Sequence, residues 1–349
     1  MEKSKHKRES YIDIAKTIGI ILVVLGHTDF IGKNIIYQFH LPLFFFLSGV
    51  VFNLDKVDNL KEFFYRRVKG LYVPFIIFEI ISLLLHNFFS LIHFYTDLSN
   101  VKVIYDFSDF IKMVFKIITL GGGEQLVGPL WFLISTLEIN IIFAIFMKWL
   151  KKYTKKYNII VFIICIILFF IGCYTDLPRM LSQSLIGMFF YCCGYIFKIN
   201  KEKVKFNIYL LLIALVTVLF CSKINYVDIS QLEIRYKSLL IISGLAGTYA
   251  VLYISQKAKI LENKFLLYCG KNTIYILALH CIFFKFIMLI EIFIYNVDIN
   301  YLGLFPTYQH SQIWSIPLTI LGVVGPILVS YIVKKIANIR GGKECTKSQ

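Results

Sequence analysis

The stretch YIDIAKTIGIILVVLGHTDF (residues 11–30), followed almost at once by FHLPLFFFLSGVVF (39–52), decides how this chain folds. Each is an apolar run able to enter a bilayer, and each carries an ionisable residue that hydrocarbon tolerates only with a partner, a wet cavity or a function. Lys16 and His27 stand eleven residues apart. On a helix that step turns about 1100°, some 20° past three turns, and rises about 16 Å. The two groups share one stripe of the helix without touching, one near each edge of the hydrocarbon. Two water-soluble reactants arriving from opposite sides would call for that arrangement.

Further runs of the same kind occur at 70–94, 129–149, 157–174, 182–198, 206–222, 238–255, 273–294 and 313–333. With 12–30 and 36–53 they predict an all-α integral membrane protein of about ten transmembrane helices. The chain reads as a single membrane-embedded domain over 1–349, without a soluble domain or an internal repeat. Of its residues 58% are hydrophobic and 17% charged, and the mean hydropathy is +0.72. No soluble domain of 349 residues could bury so much apolar surface.

The net charge of +16 does not point to nucleic acid, because its placement is topological. If the amino terminus is cytoplasmic, the tails and the loops on that side hold 27 Lys and Arg against 8 on the opposite side. The positive-inside rule then places both termini in the cytoplasm, and clusters such as KKYTKK (151–156) face anionic lipid. Asp13 and Lys16 interrupt the first run, so it reads as a retained span and not a cleaved signal. Seven cysteines in or beside spans lack ligand-like spacing and read as small packing residues, with no metal expected.

The polar residues inside the runs are the candidate site. They include Asp13, Lys16 and His27 in the first, His40 in the second, Glu79 and His86 in the third, Glu138 in the fourth, and His280, Lys285 and Glu291 in the ninth. His27 and His40 flank a short hairpin, and a neutral imidazole there accepts a proton from a hydroxyl. Glu79 and His86, nearly in line with Ser82 and Ser90, either line a cavity or tie helices together. Trp131, Ser135 and Glu138 recur at helical spacing. Arg66, Arg67 and Lys69, in FYRRVKGLYVP before the third span, offer charge-assisted donors to a phosphate-bearing cofactor. The long segment 95–128 either lies on the membrane surface or re-enters as a lid.

The order YIDIAKTIGIILVVLGH, FHLPLFFFLSG, RRVKGLYVP, GPLWFL (128–133) and CGKNTIYILALH (269–280) resembles the membrane-bound acyltransferase 3 family over essentially the whole chain. Within it the likeness is to stand-alone sugar O-acetylases of the fucose 4-O-acetylase type. The resemblance implies a bacterial inner-membrane enzyme that takes an acetyl group from cytoplasmic acetyl-CoA, as cosubstrate, to a hydroxyl of a cell-surface glycan or its lipid-linked precursor. It implies His27 as general base or transient acyl carrier, with Lys16 where the family usually has arginine and Asp13 beside it. Arg67 matches the first arginine of the family's R-x-x-R element for CoA; Gly70 stands where the second would be, with Lys69 and Arg66 adjacent. His40, Trp131, Glu138 and His280 are then the acceptor-side residues. A flippase or transporter of a lipid-linked sugar, with the same polar groups lining a path, is the alternative, and it would call for inverted repeats.

Overall fold

A computed structural model describes residues 10–258 and 263–345; the basic amino-terminal tail and the last residues of the basic carboxy-terminal tail lie outside them. The structure is 78% helical with almost no sheet. The helices are α1 (Ser10–Gly26), α2 (Lys33–Tyr37), α3 (His40–Val50), α4 (Leu60–Arg67), α5 (Val73–Leu84), α6 (His86–Leu91), α7 (Phe107–Ile118), α8 (Trp131–Tyr153) and α9 (Tyr157–Tyr174). They continue as α10 (Leu181–Ile199), α11 (Ile208–Ile224), α12 (Lys237–Ala258), α13 (Lys264–Lys271), α14 (Thr273–Tyr295) and α15 (Ser315–Cys345). Between α11 and α12 a small antiparallel hairpin pairs β1 (Val227–Asp228) with β2 (Glu233–Ile234).

Among the described residues five helical stretches are both long and apolar enough to cross a bilayer: Gln125–Tyr153, Tyr157–Tyr174, Lys237–Ala258, Thr273–Tyr295 and Gln312–Ala337. The protein is therefore a multi-pass membrane protein. The remaining predicted spans correspond to helices that are shorter, interrupted or, in α10 with its Ser182, Gln183 and Ser184, more polar. The run 36–53 is divided between α2 and α3, and the run 70–94 comprises a π-helical turn (Val68–Tyr72), α5 and α6, broken at Leu85. No residue of the π turn is buried, so its irregular backbone lies at the accessible start of this run.

Backbone contact through glycine sets the packing. A Cβ on Gly49 of α3 would stand 2.8 Å from the carbonyl carbon of Tyr191 in α10, and one on Gly194 of α10 would stand 2.8 Å from that of Phe46 in α3. The contact is reciprocal, and only hydrogen at both positions lets the two helices approach so closely. Gly270 of α13 meets the Asp13 carbonyl of α1 in the same way, with its carbonyl carbon 2.8 Å from a built Cβ. The Thr17 hydroxyl fastens that contact by donating to the Leu266 carbonyl at 2.5 Å.

The segment 95–128 folds back along α5. Asn87 and Tyr105 exchange hydrogen bonds of 2.9 and 2.8 Å near the start of α7, while the Tyr72 hydroxyl donates to the Ile118 carbonyl at its end. So α7 runs antiparallel to α5 back to the level of the π turn, showing Phe107, Ile111, Phe115 and Ile118 outward. The chain then returns through Gly121–Gly123 and a 3-10 segment, Gln125–Leu130, whose Leu126, Val127 and Leu130 are buried in the core.

A buried network holds that return. His86 donates through Nε2 to the Lys102 carbonyl at 3.0 Å and shares a proton through Nδ1 with the Glu124 carboxylate at 2.8 Å. Its ring is sandwiched between Tyr95 and Tyr105, with centroids 4.5 and 3.5 Å away. The Tyr95 hydroxyl also donates to Glu124, at 3.1 Å, and the Glu124 amide donates to Glu79 at 2.7 Å. Gly123 makes room, since a Cβ there would lie 2.5 Å from the Glu79 carboxyl carbon. Glu79 and His86 thus tie elements together and do not line the histidine-lined cavity described below.

Two outcomes follow. Gly194→Ala should lower stability by about 1–3 kcal/mol through overpacking, measured by thermal unfolding in detergent, while Gly70→Ala, whose Cβ meets nothing within 4 Å, should leave the transition in place. His86→Ala should cost about 3–5 kcal/mol, because it strands the buried Glu124 carboxylate; Tm in the same assay reads it.

Candidate functional site

A cavity enclosing about 670 Å³ of empty space, part of it open, lies where α1, α2, α3, the start of α8, α14 and the β1–β2 hairpin meet. Its walls divide by chemistry. Ile20, Val23, Leu41, Phe44, Phe132, Leu133, Ile274 and Leu277 give an apolar surface, while His27, Tyr37, His40, Trp131, Asp228 and Ser230 bring polar groups together. Along α14 the lining residues Leu277, Ile274 and Thr273 step from the neighbourhood of His280 to the first residue of the helix, a rise of about 10 Å.

Three imidazoles meet at or beside this cavity in one common posture. Nδ1 of His27 lies 2.8 Å from the Val23 carbonyl, Nδ1 of His40 lies 2.9 Å from that of Ile36, and Nδ1 of His280 lies 2.9 Å from that of Ile276. A carbonyl has no proton to give, so each Nδ1 carries the hydrogen and each neutral ring presents Nε2 as a lone pair. The clamp reaches back four residues each time, so the helix backbone fixes the tautomer. The His27 and His280 rings are 4.9 Å apart between centroids, and Tyr37 stands 4.9 Å from His40. His280 is wholly buried and its Nε2 has no hydrogen-bond partner. An orphaned acceptor of this kind costs about 1–3 kcal/mol.

Several other residues singled out from sequence stand elsewhere. Lys16 is half-buried and Asp13 buried on α1, where α13 packs; neither lines the cavity. Glu138 does not line it either. Together with Ser135 it is turned to α10, where the Ser184 hydroxyl lies 2.6 Å from Glu138 and 3.0 Å from Ser135. Only Trp131 of that helical stripe reaches the cavity. Arg66 pairs with Glu62 at the surface, Arg67 lies with its guanidinium 5.0 Å from the Phe63 ring centre, and Lys69 is exposed in the π turn. These three cations therefore sit together, accessible, where α4 becomes the π turn.

Sequence reasoning missed Tyr37 and the hairpin residues Asp228 and Ser230. Tyr37 lies one turn before His40, and the spacing D-x-S was the readable sign of the hairpin, because it favours a side chain that folds onto its own backbone. Among the described residues no group of three His, Cys, Asp or Glu side chains is arranged to hold a metal. The seven described cysteines carry free thiols.

Residues 9–335 match the acyltransferase 3 family, described as an acyltransferase domain, and the chain belongs to that family of membrane acyltransferases. No match was found among curated proteins or among solved structures.

Because the His280 Nε2 is unpaired, His280→Phe should leave stability unchanged or raise it by about 1 kcal/mol, as thermal unfolding in detergent would read. A loss of several kcal/mol would show instead that the clamp to Ile276 is structural.

Proposed function

We propose that this chain is a membrane-bound O-acyltransferase that moves an acetyl or other short acyl group from cytoplasmic acyl-CoA to a hydroxyl of a cell-surface glycan or its lipid-linked precursor, in a bacterial cytoplasmic membrane. The observation that carries the reading is the fixed Nε2 lone pair of His27 in a cavity with an apolar wall on one side and polar groups on the other. A thin acyl-pantetheine arm suits the Ile274–Leu277 wall, and a hydroxylated acceptor suits the polar groups around His40, Tyr37 and Trp131.

In this reading the acceptor hydroxyl gives its proton to His27 Nε2 as its oxygen attacks the thioester carbonyl carbon. The carbon–sulfur bond breaks, and the CoA thiolate takes the proton back from the imidazolium. The same lone pair would equally serve a route in which His27 takes the acyl group first and passes it on. Arg66, Arg67 and Lys69 are the accessible cations for the CoA phosphates, with Arg67 supported by Phe63. Lys16 and Asp13 then act on the donor side, through α1 and α13, without touching the acceptor; Glu138 is left with a helix-joining role.

The test compares surface glycans, released without cleaving esters, from cells expressing the wild-type chain or His27→Ala at equal membrane abundance. We expect an ester carrying the mass of one acetyl group with the wild type and its loss in the variant, the transfer rate falling about 10²–10⁴-fold. Identical esters in both, differing in amount or sidedness, would overturn the reading in favour of transport.

A further inference from the structure

The β1–β2 hairpin brings one carboxylate to the polar side of the cavity. Asp228 lines the cavity with Ser230, near the His27, His40 and Tyr37 side chains. Its Oδ1 is saturated from within the hairpin: it accepts from the Ser230 amide at 2.9 Å, the Ser230 hydroxyl at 2.6 Å and the Gln231 amide at 3.3 Å. Among the described residues nothing donates to Oδ2 and no cation pairs with the group. One oxygen is therefore spent on holding the side chain, and the other is left to the cavity.

The hairpin itself is tied down at its base. Asn225 exchanges hydrogen bonds with Tyr236 across it, at 3.2 and 2.7 Å, and the Asn225 carbonyl accepts from Gln38 at 2.8 Å and from Asn34 at 3.3 Å. Asn34 and Gln38 flank the same turn of chain that carries Tyr37 and leads into His40. The hairpin that carries Asp228 and the segment that carries Tyr37 and leads into His40 are thus parts of one hydrogen-bonded unit. Such anchoring is what a side chain needs in order to place a reactant and not merely to solvate a surface.

We propose that Asp228 is an acceptor-positioning residue. Its free Oδ2 takes hydrogen bonds from hydroxyls beside the one that is acylated, so the site selects polyhydroxylated acceptors over simple alcohols. The assignment rests on the acyltransfer reading above. A carboxylate takes donors, and a vicinal pair of hydroxyls supplies two. Lys33, whose ammonium lies 5.4 Å from the Tyr37 ring centre, puts the opposite charge on the same rim. A rim of mixed sign suits a neutral polyol better than a cationic acceptor. Trp131 and Tyr37 supply flat faces against which the carbon side of a sugar ring packs.

The experiment uses the full chain, purified in detergent, with acetyl-CoA as donor and glycerol or propanol as acceptor at equal concentration. Ester formation and CoA release are read separately. The wild type should acylate glycerol about tenfold or more faster than propanol, since each charge-assisted hydrogen bond is worth about that factor. Asp228→Asn and Asp228→Ala should lower this ratio about tenfold with the KM for acetyl-CoA unchanged. Asp228→Glu should restore part of it, and Ser230→Ala, which removes one of the three donors that hold Oδ1 and loosens the side chain, should fall between. A merely structural role would lower both acceptors and the donor step together and leave the ratio alone. An unchanged ratio in the Asn and Ala variants overturns the proposal, as does thioester cleavage by the wild type with no preference for glycerol. If the wild type releases no CoA at all, the acyltransfer reading itself fails, and the assignment with it.

Discussion

The crossing of α3 and α10 at Gly49 and Gly194 is the contact on which the architecture turns. Inside a bilayer no hydrophobic drive brings helices together, because lipid is as apolar as leucine, so close approach must come from dispersion contacts and from the absence of side chains in the way. Two glycines facing each other's backbone supply that approach. They hold α10 against the helix that begins with His40, and α10 in turn holds the Ser135 and Glu138 face of α8. Gly270 repeats the device between α13 and α1, the helix that ends at His27. The two histidine-bearing elements are thus each set by a glycine contact well away from their imidazoles.

Around that frame the polar groups sort into two kinds. Those bound among themselves, Glu79, His86, Glu124 and Tyr95 in one network and Glu138 with Ser184 in another, join segments that would otherwise have unsatisfied backbone or carboxylate groups at membrane depth. Open valences occur beside the histidine-lined cavity, at the His280 Nε2 and at one oxygen of Asp228, and also away from it, at Glu124 Oε1 and Glu291 Oε2. What singles out His280 and Asp228 is that the open valence adjoins a space a substrate can enter.

Much of this was legible in the chain. The apolar runs announced the membrane class, and the pairing of His27 with His40 across a short turn announced the cavity, because both are local features of helix spacing. Lys16 was misleading in one respect. It shares a helical stripe with His27, but α13 covers that part of α1, and nothing within the first span tells which neighbour will arrive. Trp131 and Glu138 diverged for the same reason: the stripe was real, but α10 claimed its lower half through Ser184. The partners of Glu79 and His86 could not be read, since Glu124 comes from a segment whose burial depends on α7 folding back along α5. Asp228 was hidden because its importance lies in which elements the hairpin touches, a long-range fact with only an Asx turn as its local trace.

The shared imidazole posture has an evolutionary side. Each ring is oriented by a main-chain oxygen four residues earlier, at Val23, Ile36 and Ile276, and a carbonyl is present whatever side chain the position bears. Sequence drift at those three positions therefore leaves the protonated nitrogen where it is, and the tautomer is inherited with the helix itself. The vulnerability lies in register instead: inserting or deleting a single residue between oxygen and ring would rotate the imidazole by about 100° and remove its orientation, even where every side chain in the sequence was conserved.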